Sequence, residues 1–343
     1  MGRRADEFHH QQPDDGERCA RVGDEIQPPE QVAEAPRDHR AQPEDQRSQR
    51  REPDDDHRLI IIGALQDSSA ADLDDIAARI VDAMAREETT SPPAAAFLLR
   101  HYTATGRDDL REPLGLALAY ALALADDEAG AYGRAGWLTL FADAAAVADD
   151  DRVVAAARGL TTALRGEWPS ADALRDGVAS VDACLHASAI ADAAGIVPPA
   201  IEELERIVGA AYRPGGGLFD AAAGRQASLG DHARAASALL TAFEITGRLP
   251  YSMLAEELMQ TSRHLPARGD DVAAQCAAAR ALCRLAALHG DAGYRAAATI
   301  ASGADYRADA ARILAAQAPR ARSGSADDAA LYGVAQHDLL SLR

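Results

Sequence analysis

Leu239-Leu240-Thr241-Ala242-Phe243-Glu244-Ile245-Thr246-Gly247 is the stretch on which the fold reading turns. An apolar run with helical spacing ends there at a glycine, the residue that takes a left-handed C-cap most readily. The same pattern stands upstream as Phe97-Leu98-Leu99-Arg100-His101-Tyr102-Thr103-Ala104-Thr105-Gly106, and downstream as Leu282-Cys283-Arg284-Leu285-Ala286-Ala287-Leu288-His289-Gly290-Asp291. Two looser copies turn at Asp149-Asp150-Asp151 and at Gly195. The turns recur about every 43 to 52 residues, within the range of stacked helix pairs. Each unit reads as a helical hairpin whose second helix is often opened by a carboxylate. Five hairpins leave one unit to find, and the first helix (Asp67 to Arg86) and the last (Asp327 to Leu342) could pair to supply it. The pattern predicts an all-α protein of helical-hairpin repeats, closed into an α/α toroid with an inner ring of helices inside an outer one. An open solenoid has the same periodicity, but the chain lacks obvious polar capping repeats. Alanine makes up about a quarter of the sequence and suits close approach of inner helices.

Outward from the repeat, Arg213-Pro214-Gly215-Gly216-Gly217-Leu218-Phe219-Asp220 is the most distinct non-helical motif. Its glycines release the backbone from ordinary steric limits, and Leu-Phe-Asp reads as a short extended piece. The connection runs on to Asp231, long for a helical bundle, and long loops often carry function. The expectation is that this link roofs the hollow end of the toroid.

The Gly-Gly-x-Phe-Asp signature, followed by a helix opening with Asp231-His232, is similar to the six-hairpin glycosidase-like superfamily. Closest in texture is the helical domain of the thioredoxin-domain proteins related to the spermatogenesis-associated family. Leu239 to Leu258 (with Phe243, Thr246-Gly247, Tyr251 and Ala255) and Leu282 to Ala298 (with Gly290-Asp291, Tyr294 and Ala298) resemble that family's repeated hairpin. Ala330-Leu331-Tyr332-Gly333-Val334-Ala335 resembles its last helix. The resemblance implies an α/α toroid over roughly residues 67 to 343 and a carbohydrate-related chemistry. No thioredoxin-like segment precedes the helices. The family's His-Phe-Glu-Lys-Met-Leu-Tyr-Asp-like segment aligns near Ala135 to Asp143, where only Trp137, Phe141 and Asp143 keep kinship. That loss of charged members argues for a toroid that has shed inherited catalysis.

The candidate site follows. Asp220, beside a phenyl ring and a glycine loop, is a candidate general acid or base with a simpler role as a turn-forming carboxylate. Asp231 is a second candidate, or an N-cap. His232 titrates in a useful range, and otherwise packs on the face it shares with Leu239 and Phe243. Arg225 could pair with a ligand carboxylate or phosphate, and Phe219 lies beside it in the loop. Trp137, with Tyr132 and Arg134 just before it, could line the mouth and stack on a sugar ring; Trp137 is equally suited to the core. No cofactor and no metal are expected. The acidic triplets Asp126-Asp127-Glu128 and Asp149-Asp150-Asp151 lack the alternating spacing and central glycine of a calcium loop. Cys19, Cys184, Cys276 and Cys283 form no C-x-x-C pair and read as small apolar residues. Nucleotide P-loop, dinucleotide, zinc-protease and nucleophile-elbow motifs are absent from the sequence.

The 343 residues carry 54 acidic against 35 basic side chains, a formal charge of -19. All the basic residues are arginine. Such a balance argues against nucleic acid and anionic membrane surfaces as partners, since both need clustered cations. The longest apolar run, Leu114 to Ala125, is too short to span a bilayer. With no secretory signal behind Arg3 and Arg4, a cytoplasmic protein is expected. Residues 1–57 are rich in Asp, Glu, Arg, Gln, Pro and His without periodicity, the composition of a disordered tail. A partner-binding segment and a stretch upstream of the true translation start are the alternatives. Residues 58–343 form the helical domain. Leu59-Ile60-Ile61-Ile62 is the one clear β-like run. The function expected is binding of a small polar, carbohydrate-like ligand or a protein partner at the central mouth, without catalysis. The alternatives are a carbohydrate-active enzyme (hydrolase, lyase or epimerase) using Asp220, Asp231 or His232, and an open scaffold for assembly.

Overall fold

The computed structural model describes residues 72–86, 90–124, 130–168, 174–190, 195–221, 224–265, 271–297, 300–301 and 303–342, all within one compact unit that spans Asp54–Arg343. The expected tail, the Leu59–Ile62 run and the Asp126-Asp127-Glu128 triplet lie outside the described residues. What is described is all-α, apart from one small three-stranded element. The helices are α1 (72–85), α2 (Pro92–Thr105), α3 (Arg111–Leu124), α4 (Ala131–Ala145), α5 (Asp151–Glu167), α6 (Leu174–Ala187) and α7 (Val197–Ala211), then α8 (Leu229–Thr246), α9 (Leu249–Ser262), α10 (Val272–Gly290), α11 (Ala292–Ala297), α12 (Tyr306–Ser323) and α13 (Ala326–Leu340).

Helix ends sit where local chemistry satisfies the free backbone groups. Ser91 caps α2 by accepting from the Ala94 amide, with Pro92 and Pro93 filling the first turn where no amide is needed. Ser228 with Asp231, and Ser325 with Asp328, make reciprocal capping boxes for α8 and α13. Asp150, Asp271 and Asp305 cap α5, α10 and α12. Gly106 and Gly247 end α2 and α8 at φ 66° and 68°. A side chain there would add left-handed strain, so these two glycines set where the chain reverses.

Packing divides the helices into two sets. α2, α4, α6, α8, α10 and α13 pack in that succession, each on the next, and α13 also packs on α2. α3, α5, α7, α9 and α12 each pack on the member of the first set that precedes them. Burial follows the division. α5 buries one stripe (Val153, Ala157, Leu160, Leu164), whereas α8 has neighbours on several sides and buries Ala233, Ala235, Ala236, Ala238 and Ala242 as well as Leu239 and Leu240. Alanine lets α8 meet α6, α9 and α10 at once, since a larger side chain on each face would hold the backbones apart. α1 contributes Leu73, Ile76, Ala77 and Ile80 to the core, an i, i+3, i+4, i+7 stripe. It also ties to the last hairpin, because Arg79 donates to the carbonyls of Ala321 (2.8 Å) and Gly324 (3.0 Å) and Arg322 meets Asp72 at 2.8 Å.

The glycine-rich link is the strand-bearing element. β1 (Tyr212–Arg213), β2 (Gly217–Asp220) and β3 (Arg225–Gln226) form an antiparallel sheet in that order. It packs on α7, α8 and α9, with Leu218 fully buried and the Tyr212 hydroxyl donating to Glu257 at 2.7 Å.

Candidate functional site

The residues singled out from sequence occupy four places. Asp231 does not open α8 as its N-cap, because Ser228 takes that place; Asp231 stands at the third helical position and completes the capping box, its Oδ2 accepting from the Ser228 hydroxyl (2.6 Å) and amide (3.0 Å). His232 is fully buried. Its Nδ1 donates to the Ser228 carbonyl at 2.9 Å, and its Nε2 accepts from the Leu218 amide at 3.0 Å. Both nitrogens are thus used to pin β2 to the start of α8, which requires the neutral Nδ1–H tautomer. Burial lowers its pKa, against the opposing pull of the Ser228 carbonyl and Asp231. Gly217, at φ 73°, lies so close that a β-carbon would overlap the imidazole. Phe219, Asp220 and Arg225 share the sheet, with Asp220 opposite Arg225 in register and the Arg213 guanidinium 5.9 Å from the Phe219 ring.

On α4, Trp137 lies in the core at 4% exposure, and Arg134 pairs with Glu167 of α5. Tyr132 is exposed and is reached from two other helices. Arg175 of α6 and Arg234 of α8 both stand over its ring, 4.2 Å and 5.2 Å from the centroid. Arg234 also lies 3.6 Å from Asp231. The fold therefore joins Tyr132 to Asp231 through Arg234, holds Asp220, Phe219 and Arg225 on the sheet, and gives Trp137 to the core.

A larger polar assembly runs through the first set of helices. Arg100 of α2 pairs with Asp338 of α13, whose other oxygen accepts from Arg280 Nε of α10 at 2.8 Å. One turn on, Arg284 donates to the Ser237 carbonyl (2.9 Å), the Ser237 hydroxyl (3.1 Å) and the Thr241 hydroxyl (3.2 Å) of α8, and meets Glu244 at 2.9 Å. The Ser237 and Thr241 hydroxyls donate in turn to Asp182 of α6, at 3.0 Å and 2.7 Å. His186, one turn after Asp182, meets Asp143 of α4 at 2.7 Å. All six helices of the first set contribute.

The electrostatics extend beyond adjacent helices. Loss of hydration works against the charged form of Arg280, but the carboxylates of Asp338, Asp143 and Asp182 more than offset it and leave its pKa raised. His186 is held above its ordinary range by the Asp143 hydrogen bond, against partial desolvation and Arg284, with Asp182 adding to the rise. Arg280, His186 and Asp143 are 49%, 44% and 49% exposed, so these charges face water while sensing one another. Every carboxylate named in the assembly already has a cationic or hydroxyl donor. Such a surface offers paired donors and acceptors rather than a free charge. The sequence signal for it is polar pairs four apart on alanine-rich helices: Ser237/Thr241, Asp182/His186 and Arg280/Arg284.

A second polar path links α1, α2 and α13. His101 Nδ1 lies 3.1 Å from His337 Nε2, and His101 Nε2 lies 3.0 Å from Asp74, which also accepts from Arg107 at 2.6 Å. Phe97 stacks on His101, 5.4 Å between centroids. Elsewhere, a cleft of about 450 Å³ lies between α1 and the start of α13, but the Arg79 guanidinium on its wall is committed to the Ala321 and Gly324 carbonyls. Among the described residues, no group of three or more His, Cys, Asp and Glu side chains converges as a metal site would, and no helix is long and apolar enough to cross a membrane.

Compared with known proteins, the chain matches no family model, no curated protein and no solved structure.

Proposed function

We propose that α2, α4, α6, α8, α10 and α13 form the inner wall of a closed α/α toroid of the six-hairpin kind, and that the protein binds a small polyhydroxylated, carbohydrate-like molecule on the polar belt inside it. Closure is supported by the packing of α13 on α2 and by the ties from α1 to the last hairpin. The observation that carries the ligand reading is the belt itself. Polar side chains from six successive helices form three hydrogen-bonded groups, Arg100 with Asp338 and Arg280, Arg284 with Ser237, Thr241 and Asp182, and His186 with Asp143, which follow one another at one-turn spacing along α10 and α6. Vicinal hydroxyls both donate and accept, so they fit carboxylates and guanidinium groups that are already internally balanced.

The test is calorimetric titration of the whole chain with neutral mono- and disaccharides, including trehalose and lactose. A sugar that binds the native protein should lose at least ten-fold in affinity on Arg280→Gln and on Asp182→Asn, with the fold intact by circular dichroism. No binding by any neutral sugar, or binding indifferent to both changes, refutes the reading.

A carbohydrate-active enzyme is the second reading, and one observation favours it: His186 and Asp143 form a half-exposed pair at 2.7 Å, placed to take up a proton from a bound hydroxyl or its carbon. Turnover of a sugar that disappears in His186→Gln would support it over simple binding.

A further inference from the structure

We infer that the end of the belt marked by Tyr132 is an oxyanion bracket, so that the ligand proposed above is an acidic saccharide carrying a carboxylate or phosphate group; this rests on the belt being a saccharide site. Arg175 and Arg234, from two different helices, hold their guanidinium groups over a single tyrosine ring. Two like charges drawn to one point repel each other, and only one of them is balanced: Asp231 pairs with Arg234 at 3.6 Å while its other oxygen serves the α8 cap. Among the described residues, Arg175 makes no ion pair; its partner is the face of Tyr132. Arg134, two residues further into α4, shows the contrast, because Glu167 neutralises it.

The ring holds both guanidinium groups by cation–π contact; Arg234 spends its N–H groups on the Tyr132 hydroxyl (3.4 Å) and Asp231, and Arg175 is the one whose N–H edge is left for a ligand. A carboxylate or phosphate accepts two parallel N–H bonds from such an edge, which a hydroxyl cannot do equally well. In a chain with a formal charge of -19, this is also the spot where a local positive field draws anions inward.

The bracket and the belt share helix faces. Tyr132 and Asp143 on α4, and Arg175 and His186 on α6, are each eleven residues apart, three helical turns or about 16 Å. A disaccharide with a terminal acid has the length to put its oxyanion at the bracket and its hydroxyls on the belt.

Four ligands test this on the full chain by calorimetry: lactose against lactobionate for the carboxylate, and trehalose against trehalose 6-phosphate for the phosphate. The expected result is that at least one acidic sugar binds ten-fold or more tightly than its neutral parent. That advantage should vanish in Arg175→Ala, return in part in Arg175→Lys, and shrink in 0.5 M salt, while the neutral parent binds all variants alike. Acidic and neutral sugars binding equally overturns the bracket and leaves the belt standing. An acid advantage that survives Arg175→Ala overturns the bracket as well. No binding of any of the four removes the belt reading and the bracket together.

Discussion

His337 makes the protein acid-sensitive over a defined pH window. Its imidazole is 8% exposed, packed with His101 and near Phe97. Burial first, then the positive potentials of His101 and Arg100, lower its pKa from 6.5 to about 4, with Asp338 opposing. Asp74 and Arg107 bear on it through His101. The folded state therefore keeps His337 neutral at pH values where the unfolded chain binds a proton. Protons then favour unfolding, and stability present above pH 6.5 is lost as pH falls to about 4. The displacement of about 2.5 pH units corresponds to roughly 3 kcal/mol at 1.36 kcal/mol per unit. Urea unfolding at pH 7.5, 6.5, 5.5 and 4.5, read by far-UV circular dichroism, measures it. His337→Gln keeps a hydrogen-bonding side chain but removes the proton site. The wild type should lose roughly 3 kcal/mol more than this variant across the series. His232, also lowered in the fold, contributes to both proteins and cancels in the difference. Curves for the two proteins that stay parallel with pH refute the assignment.

Three further outcomes are expected. Gly333→Ala drives a methyl group into the Phe97 ring and should cost about 1 to 3 kcal/mol of overpacking in spite of alanine's helix propensity, with recovery in the Gly333→Ala/Phe97→Leu pair measured by thermal melts. Asp143→Asn removes the hydrogen bond that raises His186, so the imidazole's titration, followed by NMR, should move to lower pH. Burial pushes the thiols of Cys184, Cys276 and Cys283 up to about 12, so alkylation mapped by peptide mass should spare them at pH 8 until urea is added.

Much of the helical framework was legible because its determinants are local. Gly106, Gly247 and the Asp149-Asp150-Asp151 turn, where Asp150 caps α5, each act within a turn or two of their own position. The extended piece at Leu218-Phe219-Asp220 was legible for the same reason, since the glycines before it admit the positive-φ turn from which a strand can start. The candidate site was less so. His232 left two readings open, packing and proton transfer, and only the fold shows that the Leu218 amide arrives from fourteen residues upstream to occupy its Nε2. Trp137 could have served a mouth or the core, and it lies in the core, because α4 packs on both α5 and α6. Tyr132 gained its two arginines from helices whose sequences carry no mark of the encounter.

The sequence by itself determined the all-α class, the caps and the reversals, because hydrogen bonding within a turn and helical periodicity depend on near neighbours alone. Only the tertiary structure decided which polar residues share a space. Arg100, Asp143, Asp182, His186, Arg280, Arg284 and Asp338 are scattered over 239 positions, counting from 100 to 338. What brings them into contact is the packing of six helices, set by small side chains that let backbones approach.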